Sequence, residues 1–187
     1  MKKKLLSLAV ASLVVAGTAQ ADLNYNYLEG GLGLWSPDSQ TLIGPDVRGS
    51  FAINENVFAY GGLRFLTDDI DYTNFHLGAG YRFGIDDKTD LWAGGNIEYQ
   101  KVEICFSGFG CGSANDTGLA LRGGARHQLN DELELGGTLR LVTGDFDYVG
   151  INGHARYFLA ENLDFKGELD IQDGDLGLFA GVTYYFK

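Results

Sequence analysis

The feature that most constrains the fold is a strict two-residue alternation near the C-terminus. In residues 176–186 one face carries only apolar and aromatic side chains and ends in Tyr184 and Phe186, while the other face begins with glycine. A period of two is that of a β-strand, and an apolar strand face that ends in aromatic residues is typical of membrane barrels. In a soluble protein such an edge would template aggregation. We therefore predict that this segment closes a barrel by pairing with the first strand.

The N-terminal segment has the three parts of a secretory signal peptide. Residues 2–4 are basic, residues 5–17 are apolar, and residues 19–21 form a small-residue cleavage site. The apolar run is shorter than the ~20 residues that a membrane-spanning helix needs. We therefore expect residues 1–21 to be a signal peptide and residues 22–187 to form one domain.

The charge of the chain limits its partners. The net charge of −11 would become −14 once the three lysines of the signal peptide leave. So acidic a chain does not bind nucleic acid or anionic lipid through its overall charge. We expect no nucleic-acid partner.

The alternation recurs along the whole chain, most clearly in residues 72–85 and 163–171. It identifies ten strands, at residues 24–35, 44–53, 57–67, 72–85, 91–104, 117–129, 132–143, 148–159, 163–171 and 176–186. Most of them reach the about 9–11 residues that cross a bilayer when tilted. We predict an all-β fold, an antiparallel up-and-down transmembrane β-barrel of about ten strands, or of eight if two of the shorter segments are loops.

The connections between these strands alternate in character. Four are short polar turns, near residues 53–56, 85–90, 129–132 and 159–162. Five are more variable, near residues 36–43, 68–71, 105–116, 144–147 and 172–175. Short periplasmic turns opposite more variable surface loops are typical of outer-membrane barrels. Both termini are then expected on the periplasmic side.

Acidic residues are frequent in the five variable connections. They are Asp38, Asp46, Asp68, Asp69, Asp71, Glu103, Asp116, Asp145, Asp147, Asp173 and Asp175. Their spacing fits no defined calcium loop, so we interpret them as solvated acids. Cation bridging from these acids to lipopolysaccharide phosphates is the alternative.

Charged residues fall on the strand faces opposite the apolar ones. These positions hold Arg48, Arg64, Arg82, Arg122, Arg126, Arg140, Arg156 and Lys166, with Glu29, Glu98, Glu134, Asp164, Glu168 and Asp170. Desolvation would prevent a dry sheet interior from holding so many charges, whereas a polar lumen with paired charges can hold them. A soluble barrel would place the charges outside and is the alternative.

The expected role of these charges is to close the lumen as a network. Arginine suits this role because its planar guanidinium can bridge two carboxylates. Inner-face glycines at Gly78, Gly80, Gly94, Gly118 and Gly124 leave a narrow pore for water, ions or small solutes as the alternative.

The sequence resembles small bacterial outer-membrane β-barrels of the OmpA-like and OmpX-like kind. Gly181, Tyr184 and Phe186 are similar to the C-terminal signal that the barrel-assembly machinery recognises, although Lys187 follows the aromatic that usually ends it. Residues 23–31, 77–83 and 89–91 resemble, more narrowly, a family of small barrels once described as secreted quorum or immune-eliciting factors. The resemblance implies a membrane barrel in the bacterial outer membrane and says little about activity.

The sequence contains few residues suited to catalysis or metal binding. Cys105 and Cys111 flank a glycine-rich segment of an exported chain, and we expect a disulfide between them. His76 and His154 fall on inner strand faces, where a structural role is expected, and His127 lies near a short turn. We expect no catalytic site, no metal site and no cofactor.

Together these observations predict a monomeric, non-enzymatic barrel with a structural or surface-interacting role in the cell envelope. Its expected partners are outer-membrane lipid, lipopolysaccharide and the barrel-assembly machinery.

Overall fold

The computed structural model describes residues 23–37, 40–106 and 110–186, so the predicted signal peptide lies outside the described residues. Ten strands follow one another along the chain. They are β1 (Tyr27–Ser36), β2 (Leu42–Ala52), β3 (Val57–Thr67), β4 (Ile70–Asp86), β5 (Thr89–Phe106), β6 (Gly110–Asn130), β7 (Leu133–Gly144), β8 (Tyr148–Ala160), β9 (Leu163–Gln172) and β10 (Asp175–Tyr185). Among the described residues no helix is long and apolar enough to span a bilayer.

The ten strands form one closed antiparallel barrel. Each strand pairs with the next along the chain, and β1 pairs with β10, where Leu28 lies opposite Tyr184 and Leu32 lies opposite Ala180. The prediction of a ten-stranded up-and-down barrel is confirmed. The eight-stranded alternative is wrong, because every predicted strand takes part in the ring.

The turns after β2, β4, β6 and β8 lie at one end of the barrel, which we call the short-turn end. Asn54 shapes the first of them, since its Oδ1 accepts hydrogen bonds from the backbone N–H groups of Asn56 (2.9 Å) and Val57 (2.8 Å). Asn130 plays the same part in the third turn. Such side-chain bonds replace the ladder bonds that a chain loses when it reverses.

Most strand boundaries differ from the prediction by one or two residues, and two regions differ by more. β1 begins at Tyr27 rather than at residue 24, because the preceding residues turn into the barrel mouth. β5 and β6 continue through most of the predicted loop at residues 105–116, and Cys105 lies directly opposite Cys111. That loop prediction was therefore wrong for the described part of the segment, where the antiparallel ladder continues.

The outer surface of the barrel is apolar. Leu28, Leu119 and Leu121 are 51%, 62% and 68% exposed, and leucine, isoleucine, valine and aromatic side chains continue this surface around the barrel. A water-soluble protein does not expose so large a contiguous apolar area. The surface is that of a barrel whose outer face contacts lipid.

We predict that a charge on this face impairs assembly. Replacing Leu77, which is 58% exposed on the outer face of β4, by Arg should cost about 2–4 kcal/mol if the site lies near the bilayer midplane. Leu77→Met is the matched control and should assemble normally. The fraction of folded barrel can be measured by heat-dependent mobility on gels, and normal assembly of Leu77→Arg would contradict this assignment of the faces.

Candidate functional site

The lumen contains all eight cations that the alternation places on the inner faces. Each of them lies within 4.0 Å of an acidic side chain, and eight buried acids provide the partners. The acids are Glu29, Asp46, Asp90, Glu98, Glu134, Asp164, Glu168 and Asp170. The formal charge of these sixteen groups is therefore zero.

Two of these acids were missed in the sequence analysis. Asp46 was assigned to a loop, but it lies on the inner face of β2, where its carboxylate is 2.7 Å from the guanidinium groups of both Arg48 and Arg64. Asp90 was assigned to a turn, but it lies on β5 and is 3.6 Å from Arg82. The sequence did contain a signal for Asp46, because Asp46 and Arg48 are two residues apart and therefore share one face of the strand.

The half of the lumen nearer the short-turn end holds a group of charges that we call the lower network. It consists of Glu29, Glu134, Asp164, Arg126, Arg156 and Lys166. Glu29 on β1 accepts hydrogen bonds from Arg156 on β8 (2.9 Å) and from Lys166 on β9 (3.0 Å). Because β10 and β9 separate β1 from β8, the Arg156 contact spans the lumen rather than joining neighbouring strands.

Arg156 is the centre of the lower network. Its guanidinium contacts Glu29, Asp164 at 3.2 Å and Glu134 at 3.6 Å, and its side chain is only 3% exposed. Arg126 forms a bidentate pair with Glu134, with both N–O distances at 2.9 Å. Each carboxylate therefore has a cationic partner with charge-assisted geometry, which offsets the cost of removing it from water.

The other half of the lumen holds the upper network. It consists of Asp46, Glu98, Glu168, Asp170, Arg48, Arg64, Arg122 and Arg140. Arg48 on β2 reaches Glu168 on β9 at 2.8 Å, and Lys166 contacts the same carboxylate at 2.8 Å, so the two networks are joined. Arg122 pairs with Glu98, and Arg140 pairs with Asp170, both at 3.1 Å.

A small polar cavity lies within the upper network. Its volume is about 60 Å³, and Arg122, Arg140, His76 and Asn152 contribute to its walls. One water needs about 10–15 Å³ on this measure of volume, so the cavity has room for a few waters.

Apolar clusters lie at both ends of the charged lumen. At the short-turn end, the buried side chains of Leu23, Tyr25 and Phe58 form the inner cluster, against which Trp92 packs. Tyr25 lies outside the strands, and burial raises the pKa of its phenol. At the opposite end two clusters lie inside the barrel, one around Leu42, Leu66 and Tyr72 and one around Ala120, Val142 and Tyr148.

At two of the inner-face glycines an aromatic side chain fills the space beside the backbone. A Cβ on Gly80 would lie 2.5 Å from Cζ of Phe58, and a Cβ on Gly124 would lie 2.6 Å from Nε1 of Trp92. At Gly118 a Cβ would lie 3.0 Å from Cγ1 of Val142, whereas at Gly78 and Gly94 the nearest atoms belong to the backbone of the paired strand. These glycines therefore give no support to the narrow-pore alternative.

The histidines occupy the places that the alternation gives them. His154 lies in the lumen with Nε2 3.9 Å from Glu134, and His76 packs against Gly62. His127 is exposed at the short-turn end, where Nδ1 lies 2.9 Å from the hydroxyl of Thr89. Each of the three imidazole rings therefore packs against or lies close to a neighbouring residue of the fold.

The β5–β6 hairpin extends beyond β7 at the end opposite the short turns, while β4 accompanies β5 as far as Ile104. The β6–β7 pairing stops at Gly118, so residues 110–117 pair only with β5. At about 3.3 Å per residue this part of β6 is about 25 Å long. The Cys105–Cys111 disulfide joins the two strands near the tip.

The three residues of the proposed assembly signal lie on both faces of β10. Tyr184 and Phe186 are half-exposed on the outer face, with ring centroids 5.5 Å apart. Gly181 faces the lumen, where a Cβ would lie 2.5 Å from the ring of Phe179. A larger side chain at this position would clash with the ring of Phe179, so the packing of the fold accounts for the glycine.

Comparison with known proteins identifies the barrel type. The profile of the family described as outer membrane protein beta-barrel domain matches residues 5–148. The KdgM porin is 11% identical, with a TM-score of 0.52 over 86% of this chain and 99% of that one. The NanC porin is 11% identical, with a TM-score of 0.50 over 86% of this chain and 100% of that one. Ail, the attachment invasion locus protein of Yersinia pestis, is 14% identical, with a TM-score of 0.47 over 88% of this chain and 100% of that one. No curated relative matches.

The centre of the lower network should be the most sensitive part of the lumen. Arg156→Ala leaves Glu29 and Asp164 short of a partner, and breaking a dry buried pair costs about 3–5 kcal/mol, a cost that water in the lumen reduces. Arg64→Ala is the control, since Asp46 keeps Arg48 as its partner. Urea unfolding in lipid vesicles measures both. An equal or larger loss of stability in Arg64→Ala would contradict the central role of Arg156.

Proposed function

The chain belongs to the outer-membrane β-barrel family, and from that premise we propose that it is a closed, non-enzymatic barrel with a structural or surface-interacting role in the cell envelope. The observation that carries this proposal is the pairing of the eight lumen cations with eight buried acids, between apolar clusters at both ends. A steady pore needs a continuous polar path through the barrel. The ion pairs and the apolar clusters would interrupt such a path at several depths along the barrel axis.

Ion passage through this lumen would require separation of paired charges. An ion passing Glu29 would displace Arg156 or Lys166, each within 3.0 Å of the carboxylate. Small barrels have interiors that side chains fill, whereas porins with a wide aqueous channel have sixteen or more strands. Ten strands and seven inward arginines therefore favour a closed lumen.

The β5–β6 hairpin supports a surface-interacting role. Among the described residues, 110–116 form a strand edge that pairs with no strand on the β7 side, and an open edge of this kind is able to pair with another extended chain. The disulfide limits the freedom of the hairpin tip, which reduces the entropy lost on binding. We place this end of the barrel at the cell surface and the short-turn end in the periplasm.

The remaining partners follow from the outer face. Its apolar band would contact outer-membrane lipid and lipopolysaccharide, and β10 would present Tyr184 and Phe186 to the barrel-assembly machinery. The barrel closes on itself and so leaves no unpaired strand edge within the membrane. The proposed form is therefore a monomer.

The absence of catalytic activity is part of the proposal. His76 and His154 lie in the filled lumen, where a substrate would have no access without displacing the charge network. His127 is accessible, but its ring contacts Thr89 at the edge of a turn. Neither setting provides the activated nucleophile that hydrolysis requires.

The competing function is a narrow pore. KdgM and NanC are porins, and at 11% identity the likeness to them concerns the fold alone. Within this chain, the paired charges and the filled glycine positions favour closure.

Planar-bilayer recording separates the two functions. The unmodified barrel should show no steady conductance. The triple variant Arg48→Ala, Arg122→Ala and Arg156→Ala, which removes arginines from both networks, should conduct and favour cations, because it leaves Glu29, Glu98 and Glu168 with fewer positive partners. Leu119→Ala with Leu121→Ala, on the lipid face of β6, is the control and should stay silent.

Two outcomes of this recording would overturn the account. Steady, porin-like conductance of the unmodified barrel would replace the closed-barrel proposal with the pore. A folded triple variant that stays silent would mean that the apolar clusters, rather than the charge network, close the lumen.

A further inference from the structure

The residues that precede β1 do not leave the barrel. Residues 23–26 turn into the mouth at the short-turn end, where Leu23 and Tyr25 are each only 5% exposed. Asn24 and Asn26 stay at the rim. The side-chain nitrogen of Asn24 donates to the carbonyl of Phe186 (3.2 Å), and the side-chain oxygen of Asn26 accepts from the backbone of Ala52 (2.8 Å).

This segment crosses the mouth of the barrel. The guanidinium of Arg82 on β4 donates to the carbonyl of Leu23 at 3.0 Å, and that of Arg126 on β6 donates to the carbonyl of Asn24 at 3.1 Å. In a ring of ten strands β6 lies five strands from β1 in both directions. A segment attached to β1 and bound by β6 therefore spans the opening.

The ring of Tyr25 is held from several sides. The guanidinium carbons of Arg82 and Arg126 lie 5.2 and 4.7 Å from its centroid, within the range of cation–π attraction. The ring of Phe58 lies 4.6 Å away and is tilted by 45°. Trp92 packs against the same cluster. Both arginines thus bind the segment twice, through its carbonyls and through its aromatic ring.

From these contacts we infer that the inner mouth of the lumen is a binding site for a short extended peptide with an aromatic side chain, and that the chain's own residues 23–26 occupy it as a lid. Arg82 and Arg126 recognise the peptide carbonyls and the ring, and Phe58 and Trp92 provide the apolar floor. The site closes the periplasmic end of the barrel next to the lower network, with which it shares Arg126.

Residues 23–25 of the lid are bound through side chains, and the backbone bonding to β10 reaches only as far as Asn26, whose carbonyl accepts from the N–H of Phe186 (2.9 Å). Strand β1 begins at Tyr27, so a movement of residues 23–25 out of the site would break no strand pairing of the barrel. Covalent attachment to β1 gives the segment an effective concentration in the millimolar range, so a few contacts are enough to hold it. Beside the lid a cavity of about 430 Å³ lies between Asn24, Phe158 and Tyr185, which gives water access to its flank.

Tryptophan fluorescence tests the lid directly. The chain has two tryptophans, and Trp35→Phe leaves Trp92 as the reporter of the site. In this background Leu23→Ala with Tyr25→Ala should make acrylamide quenching of Trp92 severalfold stronger, because the quencher then enters through the mouth. Tyr157→Ala, which removes an exposed tyrosine from the outer face of β8, is the control and should leave the quenching unchanged.

Assembly is checked by heat-dependent gel mobility. If the double variant does not assemble, the quenching measurement is made on Tyr25→Leu instead. It keeps an apolar side chain but loses both cation–π contacts, so quenching should exceed that of the background. Unchanged quenching of Trp92 in an assembled lid variant overturns the inference. Conductance of the unmodified barrel bears on the closed-lumen proposal instead, so the two proposals fail by different measurements.

Discussion

The pairing of Arg156 with Glu29 across the lumen is the contact on which most of the interior depends. Arg156 is almost fully buried on β8, and it joins carboxylates from β1, β7 and β9. A buried charge of this kind is tolerated only when opposite charges and hydrogen bonds replace its water. The ring of strands brings these groups within reach, and their pairing in turn fixes which inner faces lie opposite each other.

The small inner-face residues of β1 and β10 make these long contacts possible. Gly31 lies opposite Gly181, so no large side chain at this level separates β2 from β9. Arg48 reaches Glu168 across this gap, with its guanidinium 4.6 Å from the ring of Phe179. Elsewhere aromatic rings fill the space beside inner-face glycines. The interior is therefore packed by a combination of arginine, carboxylate and aromatic groups rather than by aliphatic side chains.

Much of this arrangement was predictable from alternation alone. A period of two assigns each side chain to one face, and so it placed all seven arginines in the lumen and identified ten strands. It did not assign partners, because the stagger between distant strands decides which inner residues share a level, and that stagger is not encoded in any one strand. Asp90 was missed because it lies next to a turn, and Asp46 was missed because it was counted with the acids of the preceding connection although it alternates in phase with Arg48. The lid was missed because residues 23–26 continue the strand pattern while their backbone leaves the ladder.

A double-mutant cycle on Glu29 and Arg156 tests the cross-lumen pairing most directly. The free energy of unfolding would be measured in lipid vesicles for the unmodified barrel, Glu29→Ala, Arg156→Ala and the double variant. The account predicts that the double variant loses less stability than the two single variants together, by at least about 1 kcal/mol, as expected for residues in one buried network. Losses that add to within about 0.5 kcal/mol would mean that the two residues do not interact and would contradict the account.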